Sequence, residues 1–218
     1  MNEVHLKKIT AITLILGVIV WLILYFSQGF EPISFSSLKS LFSGFTVIGL
    51  FWALYFRWAW KWPYMRKILY KPNINGTWLG HFKSNWRDDN GNLQPQKKFV
   101  LVIRQTWLTI SVKAFTEIQK TNSHIESLIF DDSNGTKILA YLCSEKDNTS
   151  GGDLRKGAAE LDLTEGDDLK IFEGNFWTLA GTKGFVRVSC ASSKEHVDSF
   201  QLANIAWGNE NSWVEIES

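Results

Sequence analysis

The residue types that carry catalysis or bind metals are few in this chain and do not cluster. Its four histidines are scattered, with no acidic residue at a spacing typical of a catalytic pair (His5, His81, His124 and His196). Its two cysteines, Cys143 and Cys190, lack the paired spacing of a zinc site. A Gly-x-Ser-x-Gly elbow, a Walker loop and a His-Glu-x-x-His motif are also missing. We therefore expect a binding protein rather than an enzyme, with no catalytic residue, metal ion or cofactor.

Charge is distributed unevenly along the 218 residues. Residues 1–70 carry seven Lys/Arg and two Asp/Glu, a net charge of +5, and residues 71–218 carry sixteen and twenty, a net charge of −4. The overall charge of +1 gives no bulk attraction to nucleic acid, so neither DNA nor RNA is expected as a partner. A basic segment suits a membrane surface with anionic headgroups, so membrane lipids are expected partners of the first part.

Two long apolar runs predict a transmembrane hairpin in residues 1–70. The first span covers about residues 9–27 and the second about residues 42–60, and each approaches the length that crosses a bilayer. The short connector between them contains Pro32. A cleaved signal peptide is the alternative for the first run, but the run is long and a second one follows it.

Cations flank the open end of this hairpin. Lys7 and Lys8 precede the first span, and four cations follow the second (Lys61, Arg66, Lys67 and Lys71). The positive-inside rule then places both chain ends in the cytoplasm, with the connector outside. Aromatic residues crowd the inner end of the second span, which is typical of an interfacial anchoring belt (Trp52, Tyr55, Trp58, Trp60, Trp62 and Tyr64).

Residues 71–218 predict a separate all-β domain. Apolar and polar residues alternate with period two, and turn-forming residues recur every ~8–12 residues. We assign eight strands near residues 76–86, 97–105, 107–115, 118–130, 136–144, 156–164, 169–178 and 182–190, with Leu108, Ile110 and Val112 on one face of the third strand. Eight antiparallel strands can close into a lipocalin-like barrel that holds one small ligand. Residues 192–207 predict a short C-terminal helix against the barrel.

The first predicted strand opens with Gly76-Thr77-Trp78, the Gly-x-Trp pattern of lipocalin-like barrels. In that architecture an arginine on the closing strand often packs over the first-strand tryptophan. By this likeness we expect Arg187 to cover Trp78 in a cation–π contact that seals one end of the barrel.

Layout and short motifs together resemble one family. The two spans lead through Pro72-Asn73-Ile74-Asn75-Gly76-Thr77-Trp78-Leu79-Gly80 into the barrel, whose late strands read Glu173-Gly174-Asn175-Phe176-Trp177-Thr178 and Thr182-Lys183-Gly184-Phe185-Val186-Arg187. This resembles the two-transmembrane β-barrel effectors of bacterial cyclic-oligonucleotide-based antiphage signalling systems (CBASS). The resemblance implies that the barrel binds a cyclic nucleotide made by a cognate nucleotidyltransferase during phage infection. It further implies that the effector forms homo-oligomers and disrupts the inner membrane, so that the cell dies before the phage spreads.

A cyclic di- or oligonucleotide would need aromatic rings for its bases and cations or hydroxyl groups for its phosphates. Residue type and strand position suggest seven candidates: Trp78, Arg104, Trp107, Phe176, Thr178, Thr182 and Arg187. Each aromatic residue among them could equally serve as core packing. A membrane-anchored barrel for a lipid or another apolar molecule is the main alternative, and a hydrolase without a known motif is the third. An aliphatic cavity would favour the lipid, and a converging nucleophile and base would favour the hydrolase.

The predicted topology can be tested with reporter fusions. Alkaline phosphatase fused to the C-terminus should stay inactive, because the cations at the hairpin's open end hold that terminus in the cytoplasm. A green fluorescent protein fusion at the same point should fluoresce. High phosphatase activity would mean that the orientation is reversed or that the chain crosses the membrane once.

Overall fold

The computed structural model describes residues 3–28, 35–62, 64–65, 69–88, 90–131, 135–145, 156–166, 169–193, 196–209 and 212–216. These residues form two compact units. The first unit contains residues 1–71 together with Thr106–Leu108, and the second contains Pro72–Gln105 and Thr109–Ser218.

Two helices dominate the first unit, α1 (Glu3–Gln28) and α2 (Phe35–Arg57). The stretch Leu6–Ile23 of α1 is long and apolar enough to cross a membrane, and α2 contains a shorter apolar stretch, Gly44–Arg57. The helices approach closely at Gly44, where an added Cβ would stand 3.4 Å from Cγ1 of Val20. Such an approach is common where small residues lie between membrane helices. Helix α1 therefore supports membrane association, whereas two crossings and an inner-membrane location stay predictions.

Helix α2 ends at Arg57, three residues before the predicted end of the second span, and a short 3-10 turn follows at Ala59–Lys61. Trp62 is extended (φ −73°, ψ 139°), as expected for a residue that precedes a proline. Two members of the predicted aromatic belt, Tyr55 and Trp60, are buried rather than exposed. They pack in one apolar cluster with Leu69 and Trp107.

The second unit is a closed antiparallel barrel in which each strand pairs with its neighbours in sequence and β1 pairs with β8. The strands are β1 (Gly76–Ser84), β2 (Lys97–Gln105), β3 (Ile110–Phe115), β4 (Lys120–Asp131), β5 (Thr136–Glu145), β6 (Lys156–Glu165), β7 (Lys170–Thr178) and β8 (Lys183–Ser192). The predicted eight-stranded barrel is thus confirmed. Strand β3 begins three residues later than predicted, so Leu108 lies outside the strand and is exposed.

Alternation along each strand separates an inner core from an outer one. Inward side chains from all eight strands form the main core, with Trp78 and Phe172 in ring contact at 4.6 Å between centroids. The helix α3 (Phe200–Ala206) packs on the outside of β1–β3, where it buries Phe200 and Ala203 against Leu79 and its neighbours. The side chain of Ser199 caps this helix by accepting a hydrogen bond from the backbone N–H of Leu202.

One end of the barrel is closed by the segment before β1. The indole Nε1 of Trp78 donates to the carbonyl oxygen of Ile74 at 3.0 Å. The buried amide of Gln105 donates to the carbonyl oxygen of Pro72 (3.0 Å) and accepts from the N–H of Ile74 (2.8 Å). These bonds satisfy buried polar groups that would otherwise destabilise the barrel, and they hold residues 72–75 over its interior. We refer to this end as the floor.

Arg187 does not contribute to the floor. In the register it stands opposite His81 of β1 and Glu173 of β7, on the outside of the wall, whereas Trp78 points inward. Its Nε lies 3.5 Å from Oε2 of Glu173. The expected cation–π contact between Arg187 and Trp78 is therefore wrong, because the two side chains project to opposite sides of the barrel wall. Hydrogen bonds from the backbone segment replace it.

A charged cluster joins three elements near the floor. Oε2 of Glu165 accepts from Nζ of Lys137 at 2.5 Å, Oε1 accepts from Nζ of Lys170 at 2.6 Å, and the Lys170 ammonium also donates to the carbonyl oxygen of Asn73 at 3.2 Å. Burial alone would raise the pKa of Glu165. The hydrogen bonds and charges of the two lysines outweigh burial and hold this pKa below its ordinary value of 4.5.

Replacing Glu165 with glutamine should therefore reduce stability in a pH-dependent way. A lowered carboxyl pKa stabilises the fold above the unfolded-state pKa, and this contribution is lost as pH falls through the folded-state pKa. At about pH 7 we expect Glu165→Gln to lower the free energy of unfolding by about 1.5–3 kcal/mol, and at about pH 3 the difference should shrink. Melting followed by tryptophan fluorescence measures both. Glu160→Gln, at an exposed position on the same strand, should change little, and equal effects of the two variants would contradict the cluster's role.

Candidate functional site

A cavity of about 140 Å³ opens at the end of the barrel opposite the floor. It lies where β1 ends and β2 begins, and where the β3–β4 and β7–β8 turns meet the barrel rim. Aromatic rings, small residues and several polar side chains form its lining: Phe82, Phe99, Ala114, Thr116, Gln119, Thr121, Tyr141, Cys143, Gly157, Ala158, Ala159, Phe176, Trp177, Thr178 and Val186. The lining is mixed rather than aliphatic. We call this opening the mouth.

Three phenylalanine rings form one wall of the cavity. Phe82 packs edge-on against Phe99 (5.8 Å between centroids) and against Phe176 (6.0 Å). Gly184 makes room for this arrangement, because an added Cβ there would stand 2.4 Å from a ring atom of Phe176. The cavity therefore offers aromatic edges and faces of the kind on which a planar base can pack.

The hydroxyl of Tyr141 is a polar group of the cavity that can form hydrogen bonds with a ligand. The residue is only 6% exposed, yet within the part of the chain that the structure describes its hydroxyl has no hydrogen-bond partner. Burial, with a smaller contribution from the charge of Cys143, raises the pKa of Tyr141. The hydroxyl is therefore neutral at physiological pH and can donate to, or accept from, a bound molecule. The hydroxyl oxygen faces the open cavity rather than being sealed in the core, so it is accessible to a bound molecule.

Further polar side chains lie at the rim of the mouth. The backbone N–H of Gln119 donates to Oγ1 of Thr116 (3.0 Å), which shapes the β3–β4 turn and leaves the Gln119 side chain in the lining. In the β7–β8 turn the N–H of Thr182 donates to Oγ1 of Thr178 at 3.2 Å. Both turns thus hold hydroxyl or amide groups beside the aromatic wall.

Lysines stand beside the mouth. A groove of about 670 Å³ adjoins the cavity and shares Phe176 and Trp177 with it, and Lys83 and Lys183 line this groove. The two lysines lie on β1 and β8, close to each other across the pair of strands that closes the barrel. A molecule with a planar ring inside the mouth would thus meet ammonium groups where it emerges. This local positive charge contrasts with the net charge of −4 of residues 71–218.

The seven residues predicted from the sequence lie in different places. Phe176 and Thr178 line the cavity, and Thr182 follows in the adjoining turn. Trp78 is fully buried near the floor, and Trp107 belongs to the first unit, where it packs against Phe56 at 4.7 Å between ring centroids.

The two arginines lie on the outside of the barrel. Nη2 of Arg104 stands 3.5 Å from Oδ1 of Asp198, and Arg187 stands beside Glu173. The expectation of arginines inside the barrel is therefore wrong in its geometry, since the inward positions of β2 on either side of Arg104 are Ile103 and Gln105. Lys83 and Lys183 also project from the outer face of the wall, and they line the groove beside the mouth rather than the barrel interior.

Sequence reasoning missed Phe82, Phe99, Gln119 and Tyr141. The signal was present for Tyr141, because it shares the period-two pattern of β5 with buried Leu139 and with Cys143. Lys83 was missed because a lysine at a strand end is ordinarily solvated, and only barrel closure brings it beside Lys183.

The described residues do not form the site of a hydrolase, the third function that the sequence left open. A serine–histidine contact does exist, between Oγ of Ser144 and Nε2 of His124 on the outer surface. Within the described residues no carboxylate orients this histidine, and no metal-binding group of histidine, cysteine and acidic side chains occurs in the same part of the chain. The contact therefore lacks the third member that activates a serine nucleophile.

Comparison with known proteins agrees with the barrel fold. Residues 69–190, more than half of the chain, match the family model described as "Cap15, cyclic dinucleotide receptor domain". The chain is 28% identical over 171 residues to CD-NTase-associated protein 15 of Yersinia aleksiciae, an alignment that covers 78% of each chain. It is 25% identical over 171 residues to the protein of the same name from Escherichia albertii, covering 77% of this chain and 82% of that one.

The resemblance to CBASS membrane effectors that was stated from the sequence is thus confirmed. Because the family model covers most of the barrel, the chain belongs to the Cap15 family of cyclic dinucleotide receptor domains.

Proposed function

We propose that this chain is a CBASS effector, not an enzyme, whose barrel binds a cyclic dinucleotide at its mouth and whose helices then disrupt the inner membrane. The observation that carries the proposal is the unpartnered hydroxyl of Tyr141 in a cavity walled by three phenylalanines, with Lys83 and Lys183 just outside. The family match supports the ligand class.

The size of the cavity indicates how such a ligand would bind. Pockets that bury a whole drug-sized ligand usually enclose ~300–1,000 Å³. The enclosed 140 Å³ is smaller, so the cavity accepts part of the ligand, such as one base. The sugar–phosphate ring would then lie in the adjoining groove, where the two lysines can form charge-assisted hydrogen bonds with phosphate oxygens.

A lipid or another apolar molecule fits this cavity less well. Acyl chains require an aliphatic lining, whereas this one carries the hydroxyl groups of Tyr141, Thr116 and Thr121 and the amide of Gln119. Desolvating these groups against a chain that cannot hydrogen-bond would oppose binding. A nucleobase can form hydrogen bonds with these groups.

Membrane disruption would require assembly of several copies. In the described part of α1 and α2 the side chains at mid-helix are uncharged, so one hairpin offers no aqueous path through a bilayer. A nucleotide that binds the assembled state more tightly would drive homo-oligomer formation, because a ligand shifts an equilibrium by its differential affinity. The hairpins would then act together on the lipid.

Binding is tested by removing one oxygen atom. Tyr141→Phe should weaken binding of the recognised cyclic dinucleotide by about 2- to 10-fold, since a hydrogen bond contributes about 0.5–1.5 kcal/mol. Its melting temperature without ligand should not fall, because the hydroxyl has no partner to lose. Calorimetric titration of the full chain in detergent with cyclic di-AMP, cyclic di-GMP, cyclic GMP-AMP and cyclic di-UMP measures the affinity. Tyr64→Phe, at an exposed tyrosine, is the matched control.

The same titration locates the phosphates. The double variant Lys83→Ala/Lys183→Ala should lose more than tenfold in affinity, whereas Arg104→Ala on the outer wall should keep the affinity of the unmodified chain. The reverse pattern would place the ligand outside the mouth. Binding by neither the unmodified chain nor any variant would remove cyclic dinucleotides from this panel as the ligand.

The membrane step is tested with liposomes. Dye leakage and chemical crosslinking between copies should rise together when the bound nucleotide is added to the reconstituted chain. Deleting residues 1–60 should abolish leakage and leave nucleotide binding in place, because the cavity is built from the barrel alone. Leakage by a protein that stays monomeric, or leakage without nucleotide, would overturn the assembly mechanism.

A further inference from the structure

We infer that the outer surface of β4–β7 of one copy binds helix α3 of a second copy, head to tail. This inference rests on the proposed function in one respect, that several copies assemble. It adds which surfaces meet and with what symmetry.

The first surface is a row of apolar side chains across four adjacent strands. The register places Ile125 of β4 opposite Leu142 of β5, Leu142 opposite Ala158 of β6, and Ala158 opposite Trp177 of β7. Ile125, Leu142 and Trp177 are 62%, 47% and 44% exposed, and the small side chain of Ala158 is buried between them. A groove of about 510 Å³ runs along these residues. Contiguous exposed apolar groups of this kind are typical of interaction sites on soluble surfaces. We call these four residues the apolar row.

The second surface is the outward face of α3. Phe200 and Ala203 are buried against the barrel, and Leu202 and Ile205, three residues apart on the other side, are 52% and 80% exposed. These two apolar side chains stand beside the exposed Gln201 and Asn204, so the outward face of α3 is partly apolar and can contact a second partner. Helix α3 covers β1–β3 and the apolar row crosses β4–β7, so one copy cannot bring its two surfaces together.

Charges beside the two surfaces are complementary. Glu160 and Asp162 follow the apolar row along the outside of β6, and Glu173, which pairs with Arg187, lies next to Asp162 on β7. Beside α3 stand three cations: Arg104 and Lys113, which share Asp198, and Lys98, whose Nζ lies 3.5 Å from Oδ1 of Asn204 on the helix. The acidic side of one copy can therefore face the basic side of the next, which favours this orientation over contact between like surfaces.

These acids also argue against a lipid surface as the partner. The cytoplasmic leaflet carries negative charge, and it would repel Glu160, Asp162 and Glu173 beside the apolar row. A second copy supplies cations at that position instead.

Trp177 connects the proposed ligand site to the proposed contact between copies. Trp177 belongs to the apolar row and also lines both the cavity and the lysine groove. A nucleotide that fixes the ring of Trp177 would set the shape of the surface offered to the next copy. The two contacting surfaces differ, so a pair of copies leaves one apolar row and one helix α3 uncovered. Further copies can bind there, and such contacts continue into rings or open chains.

Photocrosslinking distinguishes this arrangement from the alternatives. The full chain is reconstituted in liposomes at high protein density, with p-benzoylphenylalanine in place of Ile205, both without nucleotide and with the cyclic dinucleotides named above. We expect a band of dimer mass whose crosslinked peptides join α3 of one chain to β4 or β5 of another. The same amino acid in place of Ile118, an 84% exposed residue of the β3–β4 turn, is the control and should give no such product.

Each result decides the matter. Crosslinks from α3 to α3 would mean a symmetric dimer, crosslinks to lipid would mean a membrane-facing helix, and no dimer in either condition would mean that the surfaces do not meet. All three overturn the inference. Ile205→Glu should reduce any assembled fraction at least tenfold, and Ile118→Glu should not. Nucleotide binding without α3–β4/β5 crosslinks would refute the interface alone, and these crosslinks without nucleotide binding would refute the proposed ligand alone.

Discussion

Pairing between β1 and β8 is the constraint on which the rest of the barrel depends. It joins Thr77–Ser84 to Gly184–Ser192 and turns a meander of eight strands into a ring without free edges. Closure also fixes which side chains face inward, since the side-chain period of a strand is two. Tyr141 and Phe176 lie in the cavity, and Arg104 and Arg187 lie outside it, for this reason. Closure likewise brings Lys83 and Lys183 together.

The two ends of the ring are used differently. At the floor the chain supplies its own hydrogen-bond partners, because Gln105 holds the backbone at Pro72 and Ile74, and Trp78 bonds to Ile74. At the mouth the lining keeps polar groups that the described chain does not satisfy. The two ends thus differ in how their polar groups are partnered, and this difference supports the proposal that a ligand binds at the mouth.

Local patterns predicted the fold well, and the cavity less well. The bounds of β2 agree with the prediction at both ends, because polar residues at Lys97 and Gln105 delimit a continuous apolar run. The start of β3 was misplaced because Trp107 and Leu108 continue the same alternation, although the side chain of Trp107 packs with Tyr55, Trp60 and Leu69 instead. Residue type suggested that arginines bind the ligand. Whether an arginine side chain points into or out of the barrel, however, depends on the strand register around the closed ring. Phe176 and Thr178 were identified because their strand has an unambiguous parity. Tyr141 follows the same rule, and the structure places it in the cavity lining.

The closed floor has a consequence for the exchange of ligand. Ile74, Trp78 and Phe172 are fully buried there, so a molecule that enters the barrel interior must leave by the way it came. Among the described residues, the turns at residues 116–119 and 179–182 border the passage that the proposed ligand would use in both directions. Under that proposal, stiffening those turns would slow both rates and change the equilibrium constant far less. The duration of the signal would then be set in these turns, separately from how tightly the cavity binds.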